Sequence, residues 1–303
     1  TRAMAVEEMA RTDLTQATFL AARITLLNVR LKVLYLRGEW EDCQKTCLAL
    51  LRSAEQLPAS AESVNARCTL ARVLARLEKP QLAIQQADQA LEHARDGRLR
   101  ESVAQALYAR AALAWEAGEL DAVQQLSEEG LLLAAPRAVI RGDLQVALAA
   151  AQAARGQIHL ASRGLASAER LFEELGEKAS RCVALCNLAE MRTWQGLLQQ
   201  AVLTARRAQT EAEEIHFRVG RGTALRVLGD ALLEAGEDGD ARKALGQALS
   251  EVQPLGVHQE TIACRWSLAR LAARHEDPTT AEAHLAIARN LAKRQDPESY
   301  GPA

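Results

Sequence analysis

The sequence predicts an all-α solenoid built from antiparallel helix pairs, and three observations lead to that fold class. A seam residue, usually small, recurs with steps of 40, 40, 38, 40, 40 and 40 residues, at Cys43, Ala83, Val123, Ala161, Ala201, Ala241 and Ala281. The residues that favour helices dominate the 303-residue chain, whereas aromatic residues make up only 3 % of it. None of the prolines falls inside a predicted helix, where it would destabilise by about 3 kcal/mol. A fixed period of this length is the signature of stacked helical repeats.

The first residues of the chain are predicted to be a leading half-repeat. Residues 1–11 read as the second helix of an earlier repeat, because Ala3 and Ala10 lie one period before later seam positions. Thr12 or Asp13 is predicted to cap the helix that follows. The sequence does not begin with Met, and we expect it to be a fragment of a longer protein.

Seven full repeats follow, each divided by a turn signal. Glycine marks the turn in five of them, because it adopts left-handed backbone angles at no steric cost. Pro80 and Pro278 mark the other two, because proline suits the first turn of a helix. The 38-residue step is predicted to come from a two-residue deletion near Pro136. The single domain, 1–294, is predicted to contain repeats at about 15–56, 60–95, 98–133, 141–175, 178–215, 219–255 and 259–293, before a disordered tail at 295–303.

Composition excludes several classes of function. The formal net charge is −2, so nothing in it favours nucleic acid or an anionic membrane as a partner. No window reaches the roughly 18 apolar residues of a membrane helix. All six cysteines fall in predicted helices, and no histidine stands at ligand spacing from them. We therefore predict buried, reduced thiols rather than a metal site or disulfides, no cofactor, and a cytoplasmic location.

The sequence gives no foothold for catalysis, and we expect a protein that is not an enzyme. None of the six histidines pairs by spacing with a serine, a cysteine or a carboxylate dyad. Gly220-Arg221-Gly222 is not a phosphate-binding loop, because it lacks both the longer Gly-Lys-Ser pattern and a preceding strand.

The helix pairs resemble the tetratricopeptide repeat (TPR). The residues that carry the resemblance are Leu228, Gly229, Leu232, Gly236, Ala241 and Ala248 in repeat six, Leu188, Ala189, Gly196, Ala201 and Ala208 in repeat five, and Leu268, Ala269, Ala281 and Ala288 in repeat seven. The resemblance implies a right-handed superhelix whose first helices line a concave groove. The period is longer than the family's usual 34 residues or so. It is similar to arrays in bacterial signalling proteins, such as sensor arms of the maltose-regulon-activator type and arrays attached to kinases or proteases.

Projecting the first helices onto that groove predicts the binding residues. Aromatic side chains are expected to anchor a partner, and charged side chains to set its direction. The early part of the groove is predicted to be basic, and the later part acidic. The alternative for the aromatic residues is that they fill gaps between neighbouring first helices. The candidates are Asn28, Lys32, Tyr35, Arg72, Arg76, Tyr108, Trp115, Glu116, Asn187, Glu190, Trp194, Arg226, Asp230, Trp266 and Arg270.

Three functions remain open from the sequence. The first is a scaffold or regulatory arm that binds a peptide or protein segment in the groove. The second is a small-molecule-sensing arm of a bacterial transcription regulator or signalling ATPase. An enclosed pocket containing Tyr108, Trp115 and Glu116 would favour the second, and a long open groove would favour the first. The third is self-association through the N-terminal half-repeat.

Overall fold

The structure, a computed structural model, describes residues 2–54 and 60–295, with side chains described for 18–54 and 60–293. Within these ranges the chain is helical, without β-strands, and the helices pair in chain order. The predicted all-α solenoid of seven helix pairs is therefore confirmed. The helices are α1 (Arg2–Arg37), α2 (Trp40–Ala54), α3 (Ala61–Arg76), α4 (Pro80–Asp96), α5 (Arg100–Glu116), α6 (Leu120–Leu133), α7 (Val139–Ala154), α8 (Ile158–Leu175), α9 (Lys178–Trp194), α10 (Leu198–Glu214), α11 (Arg218–Glu234), α12 (Asp238–Val252), α13 (His258–Arg274) and α14 (Pro278–Gln295).

The turn inside each repeat has the same backbone shape. One residue per turn adopts a left-handed conformation, with φ between 55° and 79°. Glycine fills this position in five repeats, while Glu78 and Glu276 fill it in the second and seventh. The positions are 38, 78, 118, 156, 196, 236 and 276, which reproduces the spacing of the predicted period.

The small residues of the seam let the paired helices approach closely. Cys43, Ala83, Val123, Ala161, Ala201 and Ala241 are completely buried, and Ala281 is 8 % exposed. All six cysteines are buried and free, as predicted. Burial raises the pKa of the Cys43 thiol to about 11 and that of Cys47 to about 12, so both remain protonated at neutral pH. In the described part of the chain, no group of three His, Cys, Asp or Glu side chains is arranged to hold a metal ion.

The N-terminal helix differs from the prediction. Helix α1 runs without a break from Arg2 to Arg37, so neither Thr12 nor Asp13 caps a new helix. Residues 1–11 were expected to form a separate half-repeat, but residues 2–11 continue directly into the first helix of repeat one. At the other end, α14 extends to Gln295, and the rest of the predicted tail, 296–303, lies outside the described residues. No helix in the described ranges is long and apolar enough to span a membrane.

The array closes on itself, because the first repeat touches the sixth. The buried Trp40 donates a hydrogen bond from Nε1 to the carbonyl oxygen of Leu255, 2.9 Å away and 215 residues later in the chain. Leu36 packs on the hydrophobic cluster of the later repeats, and Val219 packs on that of the early repeats. Two ion pairs flank this contact, Lys32–Glu177 at 3.6 Å and Glu78–His258 at 2.7 Å. A solenoid normally makes contacts only between neighbouring repeats, so this closure encloses space inside the superhelix.

Candidate functional site

The enclosed space is a cavity of about 400 Å³ lined by residues from all seven first helices. A volume of this size lies in the range of ligand pockets, roughly 300–1,000 Å³. Nine of the fifteen predicted site residues line it: Tyr35, Arg72, Arg76, Tyr108, Trp115, Glu116, Asn187, Glu190 and Arg226. Trp40 and Val123 contribute from second helices, and Phe217 and Val257 from the links between repeats.

Arg72 forms the basic end of the cavity. Its Nη2 donates a hydrogen bond to the Tyr35 hydroxyl at 2.5 Å. Its guanidinium carbon lies 4.9 Å from the ring centre of Tyr35 and 5.8 Å from that of Tyr108, which are cation–π distances. Tyr35 is the main cause of a pKa for Arg72 above its usual range. Among the described residues, no carboxylate lies within ion-pair distance of Arg72, so its remaining N–H donors have no charged acceptor.

Two acidic side chains lie near this end. Glu116 forms an ion pair with Arg76 at 3.6 Å. Asp143 lines the cavity from α7 and accepts a hydrogen bond from Ser180. Burial raises the pKa of Asp143 to about 6, while Arg72 and Ser180 act in the opposite direction. The carboxyl of Asp143 is therefore partly protonated close to neutral pH.

Arg226 organises the acidic end of the site. Its guanidinium contacts Glu190 Oε1 at 2.5 Å, Glu260 Oε2 at 2.6 Å and Asp230 Oδ2 at 2.9 Å. We call these four residues the Arg226 cluster. Asp230 also accepts a hydrogen bond from Ser267. Burial raises the pKa values of Glu190 and Asp230. Burial opposes the charge of Arg226, but the three carboxylates outweigh it and hold its pKa well above the usual range.

The tryptophans predicted for the groove are exposed rather than packed in the core. Trp115 lines the cavity and is 40 % exposed. Trp194 and Trp266 are 59 % and 56 % exposed but do not line it. Trp40 is 6 % exposed, and its contact with Leu255 anchors the first turn. The gap-filling alternative therefore does not describe the three groove tryptophans.

The other predicted site residues lie outside the cavity: Asn28, Lys32, Trp194, Asp230, Trp266 and Arg270. Lys32 pairs with Glu177 across the closure, and Arg270 pairs with Glu234 at 2.5 Å. Asn28 is exposed on α1. These residues were placed by extending one helical face along each first helix, whereas the closure confines the cavity on α1 to its last turns.

Several cavity residues were absent from the prediction, including Leu36, Val219, Val257 and Glu260. They meet in the cavity because the sixth repeat returns to the first, which no local pattern indicates. The sequence carries one signal for this contact. Trp40, a large aromatic residue two positions after a turn glycine, has no counterpart in the other repeats.

No family model and no curated protein sequence matches the chain. Solved structures do match it in fold. The Rap conjugation gene regulator of plasmid pLS20, in complex with the Phr* peptide, superposes with a TM-score of 0.71 at 10 % identity, over 95 % of this chain and 79 % of that one. A Rap protein complexed with competence and sporulation factor gives 0.70 at 10 % identity, over 92 % and 78 %. A tetratricopeptide repeat protein from Parabacteroides merdae gives 0.53 at 14 % identity, over 89 % and 93 %.

These neighbours define the class of protein. The chain is a TPR-like helical repeat array, as its sequence predicted. At identities of 10 to 14 % the likeness extends to the fold alone.

Proposed function

We propose that the chain binds a short peptide, or the end of a partner protein's segment, in the cavity, with a carboxylate of that ligand on Arg72. The observation that carries the proposal is the state of Arg72. Two tyrosines hold its guanidinium in place at the cavity wall, and no described carboxylate pairs with it. A guanidinium binds a carboxylate through two parallel hydrogen bonds, and such charge-assisted bonds are among the strongest in proteins.

The opposite end of the cavity favours a positive group on the same ligand. The Arg226 cluster contains one guanidinium and three carboxylates, so it keeps an excess of negative charge when all four groups are ionised. Glu190 and Glu260 present this charge to the cavity. The two ends would therefore fix the direction of a peptide that carries a carboxylate at one end and a cation at the other.

The fold neighbours support a peptide as the ligand. The two Rap structures hold a peptide or a signalling factor, and one of those proteins is a regulator of conjugation genes. By analogy of fold, we propose a cytoplasmic regulatory or scaffolding arm of a bacterial signalling protein, with a binding role rather than a catalytic one.

A small-molecule ligand is the second candidate, and one observation favours it. Tyr108, Trp115 and Glu116 line the same enclosed cavity, which is the arrangement expected for a sensor of a ligand such as a sugar. Aromatic rings would stack on such a ligand and the carboxylate would accept its hydroxyl hydrogen bonds.

Affinity selection with mass-spectrometric detection would test both candidates. The wild type would be incubated with a tetrapeptide library in two forms, with free and with amidated C-termini, and with a panel of neutral sugars. We expect enrichment of free-carboxylate or acidic peptides, and loss of that enrichment in Arg72→Met. Selective retention of sugars by the wild type would favour the second candidate. Retention of the same peptides by Arg72→Met would refute the role of Arg72.

Two further variants separate binding from folding. Trp194→Ala removes an exposed tryptophan outside the cavity and should leave peptide enrichment unchanged. Trp115→Ala removes one at the cavity wall and should weaken binding without a large change in melting temperature, because the side chain is 40 % exposed. A drop of many degrees would mean that Trp115 belongs to the core.

A further inference from the structure

A second surface, remote from the cavity, lies on the outer face of α1. Phe19, Arg23, Leu26, Arg30 and Val33 follow one another at alternating steps of four and three residues, which places them in one line on the helix. We call this line the outer stripe. All five residues are exposed; Phe19 and Leu26 are each 70 % exposed and Val33 is 42 % exposed. An isolated exposed leucine is ordinary, but a continuous apolar line on one helix marks an interaction site.

The later repeats show what normally covers this line. Positions related to Leu26 by the repeat steps are Ala66, Ala106, Leu144, Ala184, Ala224 and Cys264. Those related to Val33 are Val73, Leu113, Ala151, Met191, Ala231 and Leu271. All twelve are at least 92 % buried. Repeat one is thus the one repeat in which both positions face outwards.

In those repeats the cover is the second helix of the preceding repeat. Leu144 of α7 fits against Gly130 of α6, where an added Cβ would lie 2.8 Å from the leucine. Met191 of α9 packs with Leu165 of α8, and Cys264 of α13 packs with Ala248 of α12. Helix α1 has no preceding helix in the described chain, so the same positions remain uncovered.

The arginines of the outer stripe complete the parallel. Arg181, at the position of Arg23, pairs with Glu169 and Glu173 of α8 at 3.2 and 2.8 Å. Arg110, at the position of Arg30, pairs with Asp88 of α4 at 3.1 Å. In both cases the carboxylates belong to the preceding second helix. Arg23 and Arg30 have no carboxylate within ion-pair distance among the described residues.

We propose that the outer stripe docks an acidic amphipathic helix in the place of a preceding second helix. Small residues of that helix would cover Leu26 and Val33, and its carboxylates would pair with Arg23 and Arg30. The terminal helix of a free solenoid needs a polar outer face for solubility, and the outer stripe does not supply one. This site is independent of the peptide cavity.

A second copy of the chain fits the outer stripe poorly. The second helix available for such a contact is α14, the last helix described. It carries Arg289 and Lys293 at the positions of Glu169 and Glu173, so two positive charges would face Arg23. It also carries Ala286 at the position of Asp88, so Arg30 would gain no partner. Charge complementarity therefore favours an acidic helix from another source.

Helix α6 supplies a probe for the test. A blocked peptide of residues 119–135 contains four carboxylates and no basic residue. Its Gly130 would receive Leu26 as it receives Leu144, and its Glu128 stands at the position of Asp88. Isolated helices of this length are marginal in water, so we expect weak but saturable binding by fluorescence anisotropy. Leu26→Asp should weaken that binding at least about tenfold, because it places a charge against apolar residues.

Matched controls make the result decisive. Leu203→Asp alters a leucine of similar exposure on α10 and should leave binding unchanged. Arg30→Glu should weaken binding, and the peptide variant Glu128→Arg should restore it. Absence of saturable binding at about 1 mM peptide would overturn the proposal, as would equal binding by the wild type and Leu26→Asp. Sedimentation velocity supplies a third refutation, because self-association that Leu26→Asp abolishes would assign the outer stripe to a second copy.

Discussion

Replacement of Trp40 by phenylalanine tests whether the array is closed in solution. The substitution keeps an aromatic ring beside Tyr35, whose ring centre lies 5.4 Å from that of Trp40. It removes the indole Nε1, which donates the 2.9 Å hydrogen bond to the Leu255 carbonyl. The change therefore acts on the contact between the first and sixth repeats while it preserves most of the packing around the first turn.

The expected loss of stability follows from two contributions. An acceptor left without its partner in a buried site destabilises by about 1–3 kcal/mol. The smaller ring leaves a void of roughly 40 Å³, which adds about 1 kcal/mol at about 24 cal/mol per Å³. The closed state should thus lose about 2–4 kcal/mol relative to the open one, which corresponds to a roughly 30- to 700-fold change in the opening equilibrium.

Hydrogen exchange measured by segment is the appropriate assay, because repeat arrays do not unfold as one two-state unit. We expect faster exchange in Trp40→Phe at two places far apart in sequence, the α1–α2 turn and the amides of Gly256 and Val257. The radius of gyration from small-angle scattering should also rise. Lys32→Gln is the control, since its exposed ion pair at 3.6 Å contributes about 0–1 kcal/mol.

The reasoning fails if the two segments respond independently. Faster exchange confined to the α1–α2 turn, with residues 256 and 257 unchanged, would mean that Trp40 stabilises only its own repeat. An unchanged radius of gyration together with that pattern would show that the closure is not maintained in solution.

Three further substitutions have defined outcomes. Arg226→Met should destabilise the array by about 3–5 kcal/mol at pH 7, because three part-buried carboxylates lose their shared cation, and urea titration should show part of the loss recovered at pH 5. Gly38→Ala and Gly118→Ala both force a side chain into left-handed backbone, but an added Cβ lies 3.0 Å from Leu255 only in the first, so denaturation should show the larger loss for Gly38→Ala. Asp143→Asn should raise stability at pH 7.5, and the gain should shrink as the pH falls through about 6, because burial raises the folded-state pKa of this carboxyl above its unfolded value and protonation removes the penalty.

The fold was largely predictable because it is written locally and repeated. Each turn needs one left-handed residue, and each seam needs a small side chain, so both features recur at a fixed step. The steps from Cys43 to Ala281 and those from Gly38 to Glu276 have the same spacing. The break expected near Thr12 failed for a related reason. Threonine and aspartate favour caps only weakly against a continuous run of helix-forming residues.

The candidate site was predictable only on the part of it that local pattern determines. First-helix positions such as Arg72 and Glu190 follow from the repeat step. The pairing of the first repeat with the sixth depends on small rotations between repeats that accumulate along the array. This is why Val219 and Glu260 were missed, and why Asn28 was placed in a groove that α1 does not extend to at that level.

Closure and ligand binding share one residue, and this has a thermodynamic consequence. Tyr35 packs edge-on against Trp40 on one side and accepts the hydrogen bond of Arg72 on the other. The cavity wall contains Leu36 from the first repeat and Val219 from the sixth, so a ligand that fills it contacts both sides of the closure. Such a ligand binds the closed array more tightly than the open one. By linkage, the factor by which it favours closure is the factor by which opening weakens its binding. Trp40 lies outside the charged ends of the site, yet its substitution should lower ligand affinity through this equilibrium alone.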